Sequence, residues 1–144
     1  MRRLILLACI PIGAVLIGCA AERPGLERFD PAGWVDLGPV VVESMAGQRR
    51  GSEVEATAVF THGNDRVTLS MQIVLGPPAR FVEGNHVSLL EGASFVGSAT
   101  AESITFLGGQ NTDPSVGGVF IIENAASGVR YRLRMPATLL SRSR

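Results

Sequence analysis

From Trp34 onward, apolar and polar side chains alternate along much of the chain. The clearest run is residues 67–75, where every odd position is apolar and every even position except Val74 is polar. A period of two places five apolar side chains on one face, which is typical of a half-buried β-strand. Residues 53–61 alternate likewise, and the turn-forming sequence His62-Gly63-Asn64-Asp65 links the two runs. These features predict a β-hairpin.

The same pattern predicts further short strands between clusters of Gly, Pro and Asn, at residues 35–43, 80–83, 87–90, 94–97, 103–107, 118–123 and 129–135. Strands with such short connections pair mostly antiparallel, because parallel pairs need a crossover segment. With no amphipathic helix, the sequence predicts an all-β domain. We expect a small antiparallel β-sandwich or half-open β-barrel of about eight to nine short strands. A closed barrel is less favoured, since nothing in the pattern identifies closure.

The N-terminus has a different pattern. Met1-Arg2-Arg3 precedes fifteen apolar residues, and small residues then flank a cysteine. A charged start, an apolar stretch and a small-residue cleavage zone are typical of a secretory signal. Leu16-Ile17-Gly18-Cys19 resembles the lipobox of bacterial lipoproteins, in which an aliphatic residue stands three before the lipidated cysteine.

The resemblance covers residues 1–19 alone. It implies that residues 1–18 are removed and that Cys19 carries the lipid. It also implies that the lipid attaches the N-terminus of the mature protein to a membrane. Acylation of the new amino terminus is also implied. Ala20, rather than Asp, follows the cysteine. By the same resemblance we expect a cell-envelope protein on the outer membrane, facing the periplasm.

The N-terminal segment also allows two other interpretations. Residues 4–21 are eighteen residues without a charge, close to the roughly 20 that a membrane-spanning helix needs. However, Pro11 and Gly13 weaken a helix meant to persist. Cleavage before Cys9 would leave too short an apolar stretch, so lipidation at Cys19 is the favoured interpretation.

The sequence therefore predicts four segments. Residues 1–18 are the signal peptide, and residues 19–33 are the lipidated N-terminus and a flexible tether. Pro24, Gly25, Pro31 and alternating charges favour the tether, since they sustain neither a helical nor a strand period. Residues 34–140 form a single β-domain, and residues 141–144 are a frayed tail.

Charge, cysteine content and the absence of catalytic motifs argue against several classes of function. Removal of residues 1–18 leaves eleven basic and thirteen acidic side chains, which argues against nucleic-acid binding. Cys9 would leave with the signal and Cys19 would be consumed by the lipid, so no disulfide, thiol nucleophile or thiolate metal site is expected. No G-x-S-x-G elbow or phosphate-binding loop is present. We expect no enzyme activity, no cofactor and no metal.

The last predicted strand carries the most distinctive surface feature. Arg130, Arg132 and Arg134 alternate with apolar residues, so their side chains share one face at a spacing of about 7 Å. Such a row can bind an anionic glycan, a phosphate, lipid head groups or an acidic partner. Alternatively, it is a solvated face paired across strands with residues such as Glu123 or Glu102.

Two other features carry weaker signals. His62 and His86 lie in separate turn sequences without metal-ligand spacing, so we predict that both are exposed turn residues. The long break at residues 108–118 offers oxygens from Gln110, Asn111 and Asp113. One carboxylate is too few for a calcium loop, and we expect an irregular connection.

Residues 34–144 carry no motif of a family that we can name. We expect an envelope lipoprotein whose β-domain serves binding or structural interaction, with an envelope protein or a glycan as partner. One alternative is a lipocalin-like carrier of a small apolar ligand, with a cavity lined by residues such as Phe60, Leu69, Phe106 and Tyr131. Another is a hydrolase, which needs His62 or His86 beside a carboxylate in a cleft.

Overall fold

The computed structural model describes residues 23–76, 78–108 and 113–142. Every regular element in these ranges is a β-strand, which confirms the all-β prediction. The strands are β1 (Gly25–Asp30), β2 (Gly33–Pro39), β3 (Val41–Arg50), β4 (Glu53–His62), β5 (Asp65–Val74), β6 (Arg80–Leu90), β7 (Ala93–Leu107), β8 (Ser115–Glu123), β9 (Arg130–Leu139) and β10 (Ser141–Arg142).

The ten strands form one sheet in the order β10-β3-β4-β5-β6-β7-β8-β9-β1-β2. Strands β1–β9 pair with one another only in antiparallel fashion, and the sheet curls into a half-barrel. β10 follows β9 after Leu140 and pairs in parallel with Ala46 and Gly47 of β3, so the last strand of the chain reaches back to the opposite end of the sheet. The prediction of a half-open barrel is thereby confirmed.

The core lies on the concave face of the sheet, as the period of two requires. The predicted hairpin is β4–β5, in which His62 pairs with Asp65 across the turn. Its alternate side chains are buried by 96% or more, and they form the centre of the core: Val54, Ala56, Ala58, Phe60, Val67, Leu69, Met71 and Ile73. The opposite wall contributes buried residues of β8 and β9, including Phe120, Ile122 and Leu133.

Some of the predicted breaks between strands are absent, because glycines expected to end a strand lie within one. Gly84, expected to end a strand, lies in the middle of β6. A Cβ atom there would lie 2.5 Å from Cζ of Phe81, so the missing side chain makes room for an aromatic ring. Residues 94–97 and 103–107, expected as two strands, likewise belong to the single strand β7.

The prediction of an irregular tether is wrong over β1. This strand pairs with β2 on one side and β9 on the other, and Leu26 is fully buried. Asp30-Pro31-Ala32-Gly33 supplies the turn between β1 and β2, with Asp at the first position, Pro at the second and Gly at the fourth of a type I turn. Burial of Leu26 outweighs the strand-breaking residues that surround β1.

The prediction of a frayed tail is wrong over Ser141 and Arg142, which form β10. The Ser141 hydroxyl donates to the carbonyl of Met45 at 2.9 Å. The proposed signal peptide, Cys19 and the alternative spanning segment all fall outside the described residues. Among the residues described, no helix is long and apolar enough to cross a bilayer.

Candidate functional site

The three arginines of β9 share its outer face, as the alternation predicts. The residues between them, Tyr131 and Leu133, are 5% and 0% exposed and point into the core. The arginines differ in exposure: the Arg132 side chain is 19% exposed and that of Arg134 is 39% exposed. The three guanidinium groups therefore do not form a uniform, free cationic row.

Glu27 of β1 binds two of these arginines. Its carboxylate accepts hydrogen bonds from Nε and Nη2 of Arg132 at 2.7 and 3.0 Å, and from Nη2 of Arg134 at 3.1 Å. The hydrogen bond from Arg132 holds the pKa of Glu27 below its usual value. The same bond raises the pKa of Arg132. A bidentate, partly buried pair of this kind is among the stronger polar contacts in a protein.

Aromatic rings cover the other side of the arginine row. The guanidinium carbon of Arg132 lies 4.3 Å from the ring centre of Trp34, and that of Arg130 lies 4.5 Å from the ring centre of Phe29. Phe29 and Trp34 contact each other edge to face, with ring centres 5.1 Å apart. Cation–π geometry of this kind orients each guanidinium.

The contacts of the arginine strand support the interpretation in which its charges are paired across strands. Cross-strand pairing is present, since Arg132 lies 3.7 Å from Glu102 and Arg130 is the ladder partner of Glu123. The principal counterion, however, is Glu27. It was missed because residues 19–33 were expected to be a tether; the turn sequence before Trp34 was the signal that could have revealed β1.

A polar groove lies on the outer face of β3–β6. Its volume is about 400 Å³. Two rows of cross-strand neighbours line it, with Thr57, Ser70 and Asn85 in one row and Gln48, Glu55, Gln72 and Glu83 in the next. Neither row was singled out from the sequence, because polar residues on the outward face of a strand carry no pattern that separates a groove from an ordinary solvated surface.

The polar groups of this groove are only loosely engaged with one another. Thr57 and Ser70 hydroxyls are 3.4 Å apart, and Gln48 donates to Glu55 at 3.4 Å. Such distances lie at the long end of hydrogen bonds. The groove therefore presents amide, hydroxyl and carboxylate groups to solvent, spaced as the neighbouring strands are.

His86 is buried, which corrects the prediction that it is an exposed turn residue. It lies within β6 at 2% exposure, because the pleat turns it inward beside Gly84 and Ser88. Nδ1 lies 2.7 Å from the Ser88 hydroxyl, and Nε2 has no hydrogen-bond partner. Burial lowers the pKa of the imidazole, and the carbonyl of Glu123 opposes this shift.

His62 stands at the end of β4, as its turn sequence predicts. Its side chain is 35% exposed, and Nδ1 lies 3.9 Å from Asp65. In the described ranges no three His, Cys, Asp or Glu side chains are grouped as metal ligands would be. The hydrolase alternative lacks support at His86, whose side-chain partner is a serine rather than a carboxylate.

The residues named for a carrier cavity are largely core residues. Phe60, Leu69 and Tyr131 are buried in the common cluster, and Phe106 packs against it partly buried. The small pocket that touches Phe60 has a volume of only about 10 Å³. This is room for no more than a water molecule, which argues against a small-molecule carrier.

Of the calcium-loop candidates, Asp113 is exposed, whereas Gln110 and Asn111 lie outside the described residues. A different polar cluster joins the turn-bearing ends of β1, β6 and β9. Glu91 accepts hydrogen bonds from the Tyr131 hydroxyl at 2.7 Å and from Arg28. Burial, reinforced by the Glu91 hydrogen bond, raises the pKa of Tyr131 to about 12.

Comparison with known proteins adds no relative to this description: no family model, curated protein or solved structure matches the chain. The arginine strand, the outer groove and the N-terminal sequence are therefore the observations on which a functional proposal rests.

Proposed function

We propose that this protein is a lipid-anchored component of a bacterial cell envelope whose β-domain binds a glycan in the groove of β3–β6. The lipid is attached to Cys19 after removal of residues 1–18, and the protein faces the periplasm from the outer membrane. The domain has a binding role and no enzymatic one.

The N-terminal sequence supports the anchor. A cysteine thiolate is nucleophilic enough to accept a diacylglycerol group, and the residues before Cys19 resemble a lipobox. One acyl chain gives only marginal membrane binding, whereas two or more chains on one residue give stable attachment. The short distance in sequence from Cys19 to β1 then keeps the domain beside the membrane.

The groove is the observation that carries the binding proposal. Its amide side chains both donate and accept hydrogen bonds, as do its hydroxyls, and sugar hydroxyl groups require partners of both kinds. The residues that line it include Glu55 and Glu83 but neither Arg nor Lys. This charge favours a neutral or amino-bearing glycan over an anionic one.

The arginine strand is a weaker candidate for the glycan site. An anionic ligand at Arg132 would have to displace Glu27, which already makes a bidentate contact there. The pocket beside Phe60, at about 10 Å³, is far smaller than the outer groove, so the groove is the better place for a ligand.

Replacement of the anchor cysteine tests the first half of the proposal. We expect Cys19→Ser to abolish fatty-acid labelling and to release the protein from membranes, while Cys9→Ser changes neither. Mass spectrometry of the purified native protein provides the direct measurement. A product that begins at Met1, or an unmodified Cys19 sulfur, contradicts the anchor.

Titration with purified neutral envelope oligosaccharides tests the second half. The double substitution Gln72→Ala with Asn85→Ala removes two hydrogen-bonding groups of the groove. At about 1 kcal/mol each, their loss weakens binding roughly 10- to 100-fold. The matched control is Thr100→Ala on the exposed face of β7, outside the groove, which we expect to bind as the wild type does. Absence of binding by the wild type, or equal binding by the double variant, contradicts the glycan assignment.

A further inference from the structure

The outer surface of β1, β2 and β9 combines aromatic rings with guanidinium groups. We define the interfacial patch as Phe29, Trp34, Arg130, Arg132 and Arg134. Phe29 is 39% exposed although it is large and apolar, and Trp34 is the single tryptophan of the chain. Arg130 and Arg132 lie over these rings at 4.5 and 4.3 Å from the ring centres.

The chain enters the domain beside this patch. Gly25, the first residue of β1, is the ladder partner of Arg134. Five residues separate Cys19 from Gly25, and six steps of extended chain span at most about 20 Å. Phe29 lies four residues along β1, about 13 Å from Gly25. The whole patch is therefore within reach of a bilayer that holds Cys19.

We infer that the interfacial patch rests on the bilayer to which Cys19 is attached, with the Trp34 and Phe29 rings among the lipid head groups. This inference depends on the lipid anchor of the proposed function. Trp is enriched at membrane–water interfaces, because an amphipathic ring suits the head-group region. Arginine can lay its stem along apolar surface and direct its charge to water or phosphate.

The charge of the surrounding surface determines the kind of lipid contact. Three acidic residues are ladder partners or ion-pair partners of the arginines: Glu27, Glu102 and Glu123. A fourth, Asp36, is the ladder partner of Glu27. The positive and negative charges nearly balance, so attraction to anionic lipid does not drive the contact. Contact with zwitterionic lipid is therefore sufficient, and it should be insensitive to salt.

This orientation leaves the glycan groove accessible. The groove lies on β3–β6, whereas the interfacial patch lies on β9, β1 and β2, with β7 and β8 between them on one side of the sheet. A half-barrel that rests on its β9–β1–β2 wall therefore directs the groove away from the membrane. The two proposed surfaces do not compete.

Because Trp34 is the only tryptophan, its fluorescence reports on this surface alone. The experiment places the native lipidated protein in phosphatidylcholine vesicles, with or without bromine on the acyl chains. We expect a blue shift of Trp34 emission and loss of most of its intensity with brominated lipid, unchanged at high salt. The control carries Trp34→Phe with Val87→Trp, which moves the probe to a 60% exposed position on β6. Emission from this variant should be insensitive to bromine.

The outcomes separate the two proposals. Fatty-acid labelling and flotation with vesicles, but no quenching of Trp34, overturn the inference and leave the anchor intact. Equal quenching in the Val87→Trp variant also overturns it, because the domain then has no preferred face. Quenching that requires anionic lipid and disappears at high salt overturns the aromatic contact in favour of an electrostatic one. An unmodified Cys19 overturns both proposals.

Discussion

Glu27 and Arg132 form a bidentate ion pair between β1 and β9, with hydrogen bonds of 2.7 and 3.0 Å. The two residues are direct ladder partners, although 105 positions separate them in the sequence. The pair joins the first strand to the last long strand, and Trp34 of β2 covers its guanidinium group. Side chains of three strands at the end of the sheet therefore meet at this ion pair.

Loss of this carboxylate is expected to destabilise the fold. Glu27→Gln keeps the shape of the side chain but removes the principal counterion of the Arg132 and Arg134 guanidinium groups. Hydrogen bonds to charged groups contribute about 1.5–3 kcal/mol each, so we expect the free energy of unfolding in urea to fall by about 2 kcal/mol. Circular dichroism across a urea titration provides the measurement.

The matched control is Glu102→Gln. Glu102 also contacts Arg132, but at 3.7 Å and with a side chain that is 47% exposed. Exposed pairs contribute only about 0–1 kcal/mol, so this substitution should have the smaller effect. If the two variants lose equal stability, the bidentate geometry of Glu27 has no special importance.

Leu26 provides a separate test of whether β1 belongs to the folded domain. Its side chain is fully buried, and Leu→Ala at such positions costs about 2–5 kcal/mol. We expect Leu26→Ala to lower the free energy of unfolding by this amount. Leu139→Ala, at a position that is 61% exposed, should have little effect. An unchanged urea midpoint for Leu26→Ala would mean that β1 detaches without consequence, as a tether would.

Periodicity predicted the centre of the fold well because burial there is one-sided. In β4 and β5 one face of each strand meets the core and the other meets solvent, so the side-chain pattern reports the strand directly. The hairpin between them follows from Gly63, whose positive φ of 59° suits the first position of a II′ turn.

The pattern failed where a residue's usual preference is overridden by a tertiary contact. Gly84 and Gly97 lie inside strands because Phe81 and His86 occupy the space that their side chains would take. Pro24 and Gly25 suggested a tether, yet the adjacent Leu26 is buried against β9. The arginine surface also depends on a tertiary contact. Glu27 meets Arg132 because two segments distant in the sequence pair with each other, and no local sequence pattern encodes that pairing.

Tyr131 offers a direct measurement of the polar cluster at the end of β9. It is the only tyrosine in the chain, so an absorbance titration of tyrosinate reports on this residue alone. Burial and the hydrogen bond to Glu91 raise its pKa to about 12, because both disfavour the phenolate. We expect no ionisation near pH 10, provided that the protein remains folded.

Glu91→Gln separates the contribution of the carboxylate from that of burial. Removal of the negative charge beside Tyr131 should move its pKa down towards, but not fully to, the ordinary value, since burial remains. Arg66→Gln serves as the control, because it removes a charge from the exposed surface instead. A Tyr131 pKa near 10 in the wild type, or one unaffected by Glu91→Gln, contradicts this account of the cluster.

His86 makes the domain sensitive to mild acid. Its ordinary pKa is 6.5, and burial lowers the value in the folded state. Near pH 6.5 the unfolded chain therefore binds a proton at this histidine more readily than the folded chain does. Stability is complete above this pH and declines as the pH falls, by up to about 1.4 kcal/mol for each pH unit. Urea unfolding between pH 7 and about 5, above the usual carboxylate range, provides the measurement.

His86→Gln removes the ionisable group while keeping a polar side chain beside Ser88, so stability should become nearly independent of pH over this interval even if it is lower throughout. His62→Gln is the matched control, since His62 is part-exposed at the end of β4 rather than buried in the core. If His62→Gln loses the pH dependence of stability and His86→Gln retains it, the prediction that His86 causes the acid sensitivity is wrong. The environment of His86 favours the expected result, because protonation would place a charged donor among Phe95, Gly97 and the strand backbone, with the Glu123 carbonyl but no carboxylate to compensate it.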